Sequence, residues 1–229
     1  MGPLDQTCVV VPAYNEAEII GSVVDGLLKR GCEVVVVDDG SADGTYEACL
    51  GYRASLLRHA CNLGQGAALK TGLTYALTHV RPRYLVTFDA DGQHRPEDVD
   101  ALVAALADGA HDIALGTRFA RKADAAAVPS GRRLLLRAAT IFSRVSSGLP
   151  VTDAHNGLRA FTAEAAAQLD LAQSGMAHAS EILTLIRRKK LRWCEVPVSI
   201  DYSEYSRRKG QRGLGAINIL WDMMTGRLR

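Results

Sequence analysis

Two carboxylates stand one residue apart at the end of an apolar run, in the stretch Leu85–His94. The residues from Leu85 to Phe88 are typical of a strand that is buried on both faces. Alternation along an extended chain would direct Asp89 and Asp91 to one side, and the Gly92 that follows them indicates a turn. Paired oxygen ligands suit Mg²⁺ or Mn²⁺, which takes further ligands from water and phosphate. Taken alone, the pattern also fits a strand-end turn with solvated aspartates.

A second acidic turn follows the apolar run 34–37 and begins with Asp38 and Asp39. A calcium loop starting at Asp39 would need Glu at its last position, which is Leu50, so that interpretation fails. A carboxylate at a strand end can instead accept a hydrogen bond from a nucleobase imino N–H or a ribose hydroxyl. Alternatively, Asp38 and Ser41 cap the turn and the next helix, which leaves Asp39 for a ligand.

The elements that would position these acids alternate regularly in the first half of the chain. The patterns predict strands at 7–11, 34–37, 55–57, 85–88 and 113–116, with helices at 19–30, 46–50, 65–79 and 96–107. Repeated strand–helix units predict an α/β fold with a mostly parallel, doubly wound sheet. Ligands of such sheets bind beyond the carboxyl ends of the strands, which is where both acidic turns fall. This coincidence favours a metal–phosphate site over solvated turns.

The regular alternation stops after Thr117. We expect a loop over 118–131, a basic helix over 132–147, and a turn at 153–159 leading into a strand at 158–161. A helix at 178–190, a strand at 194–200, a basic glycine-containing segment at 202–213 and a final helix at 214–224 follow. These patterns predict one domain with an irregular C-terminal lobe.

Charge is divided unevenly along the 229 residues. Residues 1–117 carry 8 Lys and Arg against 16 Asp and Glu, whereas residues 118–229 carry 19 against 9. The basic half is expected to meet an anionic partner, either a phosphate-bearing ligand or a membrane surface. Nucleic acid is not expected, because the basic residues are not interleaved with stacking aromatics.

Targeting and cysteine patterns indicate a reduced compartment. No N-terminal apolar leader pattern is present, and no apolar run approaches the roughly 18 residues that span a bilayer. The five cysteines lack C-x-x-C spacing and are predicted to be core thiols, not a disulfide or zinc framework. A cytoplasmic location is expected, or a peripheral one on the inner face of the cell membrane.

The stretch Asn62–Gly66 begins like a dinucleotide-binding fingerprint. The third glycine of that fingerprint would fall at position 69, which is Leu69, and the stretch follows the third strand instead of the first. A dehydrogenase is therefore disfavoured. We expect the glycines instead to permit close approach of the backbone to a base or ribose.

Four motifs in order resemble family 2 glycosyltransferases of the GT-A fold, namely Val11–Glu16, Asp38–Thr45, Asn62–Ala68 and Asp89–His94. The resemblance is nearest to the dolichol-phosphate mannosyltransferase-like branch. It extends to Arg118, to Asp153-x-x-Asn156-Gly157-x-Arg159 and to Glu195-Val196-Pro197-Val198. It implies a single GT-A domain over 1–229, with a nucleotide-binding half at 1–117, an acceptor-binding half at 118–212 and an amphipathic helix at 213–229.

The resemblance also implies roles for individual residues. The donor, a GDP- or UDP-linked sugar, would contact Pro12, Tyr14, Glu16, Asp39, Gly66, Asp89 and Arg118. Asp89, Asp91 and Gln93 would hold Mg²⁺ or Mn²⁺ on the diphosphate, where the ion stabilises the leaving group and makes Asp91 catalytic. Arginine suits phosphate oxygens, and the phosphate- and acceptor-binding candidates are Arg132, Arg133, Arg207, Arg208 and Lys209.

The resemblance implies inversion at the anomeric carbon by in-line attack of the acceptor. A polyprenyl or dolichyl phosphate acceptor needs no strong base, since its second pKa is about 6. A saccharide or protein hydroxyl would need one, for which Asp153 and Glu181 are candidates. The position of Glu181 is also explained, and in preference, as an acid favoured at a helix N-terminus.

Three further possibilities stay open on the sequence. A nucleotide-binding subunit without catalysis is opposed by the intact Asp39, Asp89 and Asp91. A nucleotidyltransferase would usually show a Gly- and Lys/Arg-rich phosphate loop directly after the first strand, and this sequence has no such loop there. The final helix either packs against the core or lies in a membrane interface, alone or with a small membrane protein as partner.

Overall fold

The computed structural model describes residues 2–119, 140, 144, 147–154, 156–175 and 177–201. Its strands are β1 (Thr7–Ala13), β2 (Glu33–Asp38), β3 (Ser55–Arg58), β4 (Tyr84–Thr87), β5 (Ile113–Thr117), β6 (Arg159–Thr162) and β7 (Trp193–Pro197). Its α-helices are α1 (Ile20–Lys29), α2 (Thr45–Cys49), α3 (Gln65–Tyr75), α4 (Asp98–Ala107), α5 (Ala163–Ala166) and α6 (His178–Arg188). A 3₁₀ turn at Leu4–Gln6 precedes β1, and a π-helical turn at Ala76–Val80 extends α3.

The seven strands form one mostly parallel sheet in the order β3-β2-β1-β4-β6-β5-β7. Only β6 runs against its neighbours, pairing antiparallel with β4 and β5. The chain leaves β1 toward β2 and β3, then crosses back to place β4 on the other side of β1. This reversal creates a crevice at the carboxyl ends of β1 and β4, where open α/β sheets bind ligands. The prediction of a mostly parallel α/β sheet is confirmed.

Both faces of the sheet are covered, which explains why its strands are apolar runs. Successive residues of β1 alternate between the faces, with Val9 and Val11 packing toward α1 and α4. Cys8 and Val10 pack toward α3 and α6 on the other face. All seven residues of β1 are buried. The sheet is therefore the rigid centre from which the loops at its carboxyl edge extend.

The predicted elements agree with the observed ones within a few residues, with local differences. Helix α4 begins at Asp98 instead of Pro96, and β7 ends at Pro197, before the predicted Ile200. Its partner strand β5 ends at Thr117, which is in register with Pro197, so the ladder between the two strands stops there. Ile200 instead forms an isolated antiparallel bridge with His94.

Only part of the predicted C-terminal half falls within the described residues. Thr140, Arg144 and Ser147 are helical, as expected for 132–147, while most of that helix and all of 202–229 lie outside the described residues. None of the helices described has both the length and the apolar character needed to span a bilayer. The core-thiol prediction is correct for Cys8, Cys32 and Cys49 and wrong for Cys61, which is exposed in the loop after β3.

Candidate functional site

A cleft of about 500 Å³ runs across the carboxyl edge of the sheet. It is bordered by the loops after β1, β2, β4 and β5 and by the turn before β6. Its lining includes eight of the residues predicted for the site, namely Pro12, Tyr14, Glu16, Asp39, Asp89, Asp91, Gln93 and Arg118. The structure therefore brings residues from widely separated motifs to one cavity.

The loops after β1 and β2 form one wall because they are hydrogen-bonded to each other. The backbone N–H of Asn15 donates to Ser41 Oγ at 2.9 Å, and that of Glu16 donates to Thr45 Oγ1 at 2.8 Å. In return, Asn15 Oδ1 accepts from the N–H of Ala42 at 3.0 Å. Asp38 Oδ1 accepts from the N–H of Ser41, so Asp38 and Ser41 support the turn as the capping alternative expected. Neither caps the next helix, α2, whose N-cap residue is Gly44. Tyr14 is 46% exposed at this wall, where its ring is available to a ligand.

Asp39 organises the loop after β3 as well as lining the cleft. Its carboxylate accepts from the N–H groups of Leu63 (3.0 Å) and Gly64 (2.8 Å) and from His59 Nδ1 (2.6 Å). Only 2% of Asp39 is exposed. A nucleoside that bound this carboxylate would share it with three protein donors, which fix its orientation. His59 was not among the predicted site residues, because it lies outside every motif that the sequence shows.

The N-terminus of α3 is covered by the protein's own backbone. The N–H groups of Gly66 and Ala67 donate to the Ser174 carbonyl at 2.7 and 3.2 Å. A Cβ built at Gly66 would lie 2.0 Å from the Gln173 carbonyl oxygen, so only glycine fits there. Residues 173 and 174 therefore make the close approach to Gly66. Contact of Gly66 with a nucleotide stays a prediction.

Asp89 and Asp91 lie in the middle of the cleft, in the loop after β4. Asp89 accepts from Gln65 Nε2 at 2.9 Å and from His94 Nε2 at 3.2 Å. Asp91 accepts from the backbone N–H of Gln93 at 3.1 Å. Burial and the neighbouring Asp89 charge raise the pKa of Asp91 to about 6. Two crowded carboxylates of this kind are electrostatically suited to a cation between them.

The pKa of Asp89 shifts in the opposite direction. Burial alone would raise it, but the hydrogen bond and charge of His94 and the charges of His178 and Arg159 lower it. Arg159 is itself buried, and its guanidinium donates to the carbonyls of Ala154 and Asn156 instead of to a carboxylate. Asp89 therefore stays ionised, which a metal ligand requires.

Arg118 reaches the cleft from the end of β5 and is held by Asp153. Its Nε lies 2.6 Å and its Nη2 3.2 Å from the two Asp153 oxygens, and its backbone N–H donates to the same carboxylate at 3.2 Å. Both side chains are almost wholly buried. Glu195 in turn accepts from the N–H and hydroxyl of Thr152 and from the N–H of Asp153. The Glu195 motif thus supports the turn that carries Asp153.

The two candidate bases are engaged in structural contacts. Asp153 is the partner of Arg118, and Glu181 accepts from the N–H groups of Ala172 (2.9 Å) and Gln173 (3.0 Å). Neither residue is among those that line the cleft. The five phosphate- and acceptor-binding candidates, Arg132, Arg133, Arg207, Arg208 and Lys209, lie outside the described residues.

Asn156 and Gly157 close the cleft beside Asp89. A Cβ at Gly157 would lie 2.1 Å from Asp89 Oδ2, so the absence of a side chain there makes room for the carboxylate. Thr87 Oγ1 donates to the Gly157 carbonyl at 2.7 Å and fixes this turn against β4. The motif containing these residues was visible in the sequence, but its link to Asp89 was not.

Comparison with known proteins agrees with this geometry. Residues 8–169 match the family described as Glycosyl transferase family 2. The chain is 28% identical to the UDP-N-acetylglucosamine–dolichyl-phosphate N-acetylglucosaminyltransferase of Methanococcus voltae, over 94% of each protein. It is 34% identical to the polyprenol monophosphomannose synthase of Mycolicibacterium smegmatis, over 74% of this chain and 66% of that protein.

A solved structure shares the fold. Glucosyl-3-phosphoglycerate synthase from Mycobacterium tuberculosis, in complex with Mn²⁺, UDP-glucose and phosphoglyceric acid, gives a TM-score of 0.62 at 22% identity. The match covers 92% of this chain and 78% of that one.

Proposed function

Because the chain belongs to glycosyl transferase family 2, we propose that its cleft binds a nucleotide-diphosphate sugar and transfers the sugar to a polyprenyl or dolichyl phosphate. The observation that carries this proposal is the convergence of Asp39, Asp89 and Asp91 on one cleft at the carboxyl edge of the sheet. The names of the Methanococcus and Mycolicibacterium relatives, both of which refer to lipid-phosphate acceptors, support the choice of acceptor.

The donor would extend along the cleft, parallel to the sheet edge. Its base and ribose would lie against Pro12, Tyr14, Glu16 and Asp39, and its diphosphate beside Asp89 and Asp91. Arg118 would contribute a positive charge at the far end, held in place by Asp153. Adjacent strands are about 4.8 Å apart, so the two strand spacings from β2 to β4 match the distance from a nucleoside to its diphosphate. The base would be guanine or uracil.

The residues present fit a divalent cation. Asp89 and Asp91 are crowded hard-oxygen ligands, as the raised pKa of Asp91 reflects, and Gln93 lines the same cleft. The described residues contain no group of three or more His, Cys, Asp or Glu that could hold a metal alone. Such a site fits Mg²⁺ or Mn²⁺, which completes its ligands with water and phosphate. When bound, the ion would stabilise the negative charge that develops on the departing nucleoside diphosphate.

The protein's own groups would orient the donor for in-line attack with inversion at the anomeric carbon. The loops after β1 and β2 are hydrogen-bonded into one wall, so binding need not order them. A phosphate acceptor is already largely dianionic at neutral pH. It would need no general base, which agrees with the engagement of Asp153 and Glu181 in structural contacts. A hydroxyl acceptor would require a carboxylate that faced it.

A lipid-phosphate acceptor would bring the enzyme to a membrane surface, on its cytoplasmic face if the donor is made in the cytoplasm. The basic second half of the chain supports contact with anionic headgroups. Sedimentation with anionic liposomes tests this association. Recovery of all of the protein in the supernatant, together with full transfer to detergent-dispersed acceptor, would exclude it.

The transfer itself is tested with radiolabelled GDP-mannose, UDP-glucose and UDP-N-acetylglucosamine, supplied with Mn²⁺ or Mg²⁺ and undecaprenyl or dolichyl phosphate. We expect label in an organic-extractable product that mild acid releases, and none with Asp91→Ala. Label that appears only in saccharide or protein would indicate a hydroxyl acceptor. Failure to bind or hydrolyse any nucleotide sugar would refute the proposed function.

A further inference from the structure

Asn156 carries a buried amide group whose N–H donors meet no acceptor in the part of the chain that the structure describes. The residue is 2% exposed, and its Oδ1 accepts from the backbone N–H of Leu158 at 3.0 Å. This hydrogen bond fixes which amide atom is oxygen, since only oxygen can accept from an N–H. Nδ2 is then left without a hydrogen-bond partner among the described residues.

An unpartnered buried donor is costly and uncommon, so its retention needs a physical reason. Asn156 belongs to the lining of the cleft. A hydrogen-bond acceptor that enters with a ligand would satisfy Nδ2 and remove the cost. The local turn does not require an amide at this position, because an acceptor alone serves the N–H of Leu158.

The position of Asn156 along the cleft narrows the identity of that acceptor. In the sheet order, Asp39 follows β2, Tyr14 follows β1, Asp89 follows β4, and Asn156 lies in the turn before β6. Asn156 is therefore beyond the diphosphate site when the cleft is followed from its nucleoside end. Its neighbour Gly157 is in contact range of Asp89. The next part of a donor beyond its diphosphate is the sugar.

We propose that Asn156 Nδ2 donates a hydrogen bond to a hydroxyl of the sugar that is transferred, which makes Asn156 a specificity-determining residue. This inference rests on the proposed function, because it takes the nucleotide sugar as the ligand. A neutral amide suits a neutral hydroxyl oxygen, whereas the diphosphate would be served by a cation at Asp89 and Asp91 and by Arg118. A site built around such a donor discriminates against sugars that lack the matching oxygen.

The test compares a nucleotide sugar with its nucleoside diphosphate, which lacks the transferred sugar. Titration calorimetry with Mn²⁺ measures the Kd of each nucleotide sugar and of its nucleoside diphosphate, for wild type, Asn156→Ser and Asn62→Ser. Serine at 156 keeps an acceptor for the Leu158 N–H but lacks the amide. Asn62 lines the nucleoside end of the same cleft and provides the matched control. Thermal unfolding and diphosphate binding report whether each variant is folded.

We expect Asn156→Ser to weaken binding of the nucleotide sugar about 3- to 10-fold, as for the loss of one hydrogen bond, while diphosphate binding is unchanged. Asn62→Ser should change both ligands by the same factor. A donor analogue deoxygenated at the contacted position should bind wild type and Asn156→Ser equally.

Two results would overturn the inference while leaving the proposed function intact. Equal weakening of both ligands in Asn156→Ser would assign Nδ2 to the diphosphate, and unchanged affinity for both would make Asn156 purely structural. Failure of wild type to bind any nucleotide sugar would instead overturn the proposed function.

Discussion

Replacing Gly157 by alanine should displace Asp89 without unfolding the protein. The added Cβ would lie 2.1 Å from Asp89 Oδ2 and 2.5 Å from its Cγ, whereas ordinary contact begins at 3.4 Å. The two groups must therefore separate by 1.3 Å (3.4 − 2.1). The φ angle of Gly157 is not positive, so alanine can adopt the same backbone and the effect is steric.

Asp89 is expected to move more than the Gly157 backbone. The Gly157 carbonyl is fixed by Thr87, and Arg159, two residues further along the chain, is in register with Thr87 in the sheet. A shifted Asp89 would lose its hydrogen bonds to Gln65 and His94. A misplacement of about 1 Å at a reacting centre can cost roughly 100-fold in rate, and overpacking costs about 1–3 kcal/mol of stability.

The assay is the initial rate of sugar transfer as a function of Mn²⁺ concentration, with thermal unfolding measured in parallel. We expect Gly157→Ala to remain folded, to need more Mn²⁺ and to lose about two orders of magnitude in kcat/KM. Gly51→Ala is the control, since a Cβ at Gly51 meets nothing within 4 Å and its φ is not positive. Wild-type activity and Mn²⁺ dependence in Gly157→Ala would refute the placement of Asp89 as a metal ligand.

Further perturbations address the carboxylates and their supports. Since the pKa of Asp91 is raised from 3.8 to about 6, the folded metal-free protein binds this proton more tightly than the unfolded chain, and its stability falls as pH rises through that interval. Asp91→Asn should therefore unfold at a higher temperature than wild type at pH 8 without metal, and an unchanged midpoint would contradict the predicted repulsion. Glu195→Ala should lower transfer more than Glu195→Gln, because glutamine keeps one acceptor for the turn that carries Asp153; equal rates in the two variants would exclude this support. Glu181→Gln should cost about 1–2 kcal/mol of stability, as one backbone N–H loses its acceptor, with no change in the pH–rate profile; loss of the acidic limb of that profile would instead identify Glu181 as a general base. Chelation with EDTA should abolish transfer, and added Mn²⁺ or Mg²⁺ should restore it; activity that persists in EDTA would rule out the metal.

Much of the fold could be predicted because its strands are buried on both faces. A short run of β-branched residues such as Val34–Val37 is typical of a strand buried on both faces, and the intervening helices have the length of crossover connections. The direction of β6 could not be predicted. An apolar run at 158–161 indicates a strand, but its antiparallel pairing depends on β4 and β5, which are distant in the chain.

The site, like the fold, could be predicted only in part from the sequence. Asp39, Asp89 and Asp91 could be located because strand ends converge in a parallel sheet. The contacts of Asp153 and Glu181 could not be anticipated, because their partners are an arginine 35 residues away and two backbone amides of an irregular segment. Likewise, the collision that any Cβ at 157 would make with Asp89 exists only in three dimensions.

The insertion of β6 between β4 and β5 affects the order in which the walls of the cleft form during folding. Thr87 and Gly157 are 70 positions apart, yet their hydrogen bond sets the wall beside Asp89. Contacts so distant in sequence close long loops and tend to form late. A nascent chain that has emerged only through β5 would possess the acidic loops but not the wall that confines them. Among the described strands β5 pairs only with β6 and β7, so catalytic competence is expected to lag behind pairing of β1 to β4. Refolding monitored by activity should be slower than refolding monitored by helix content.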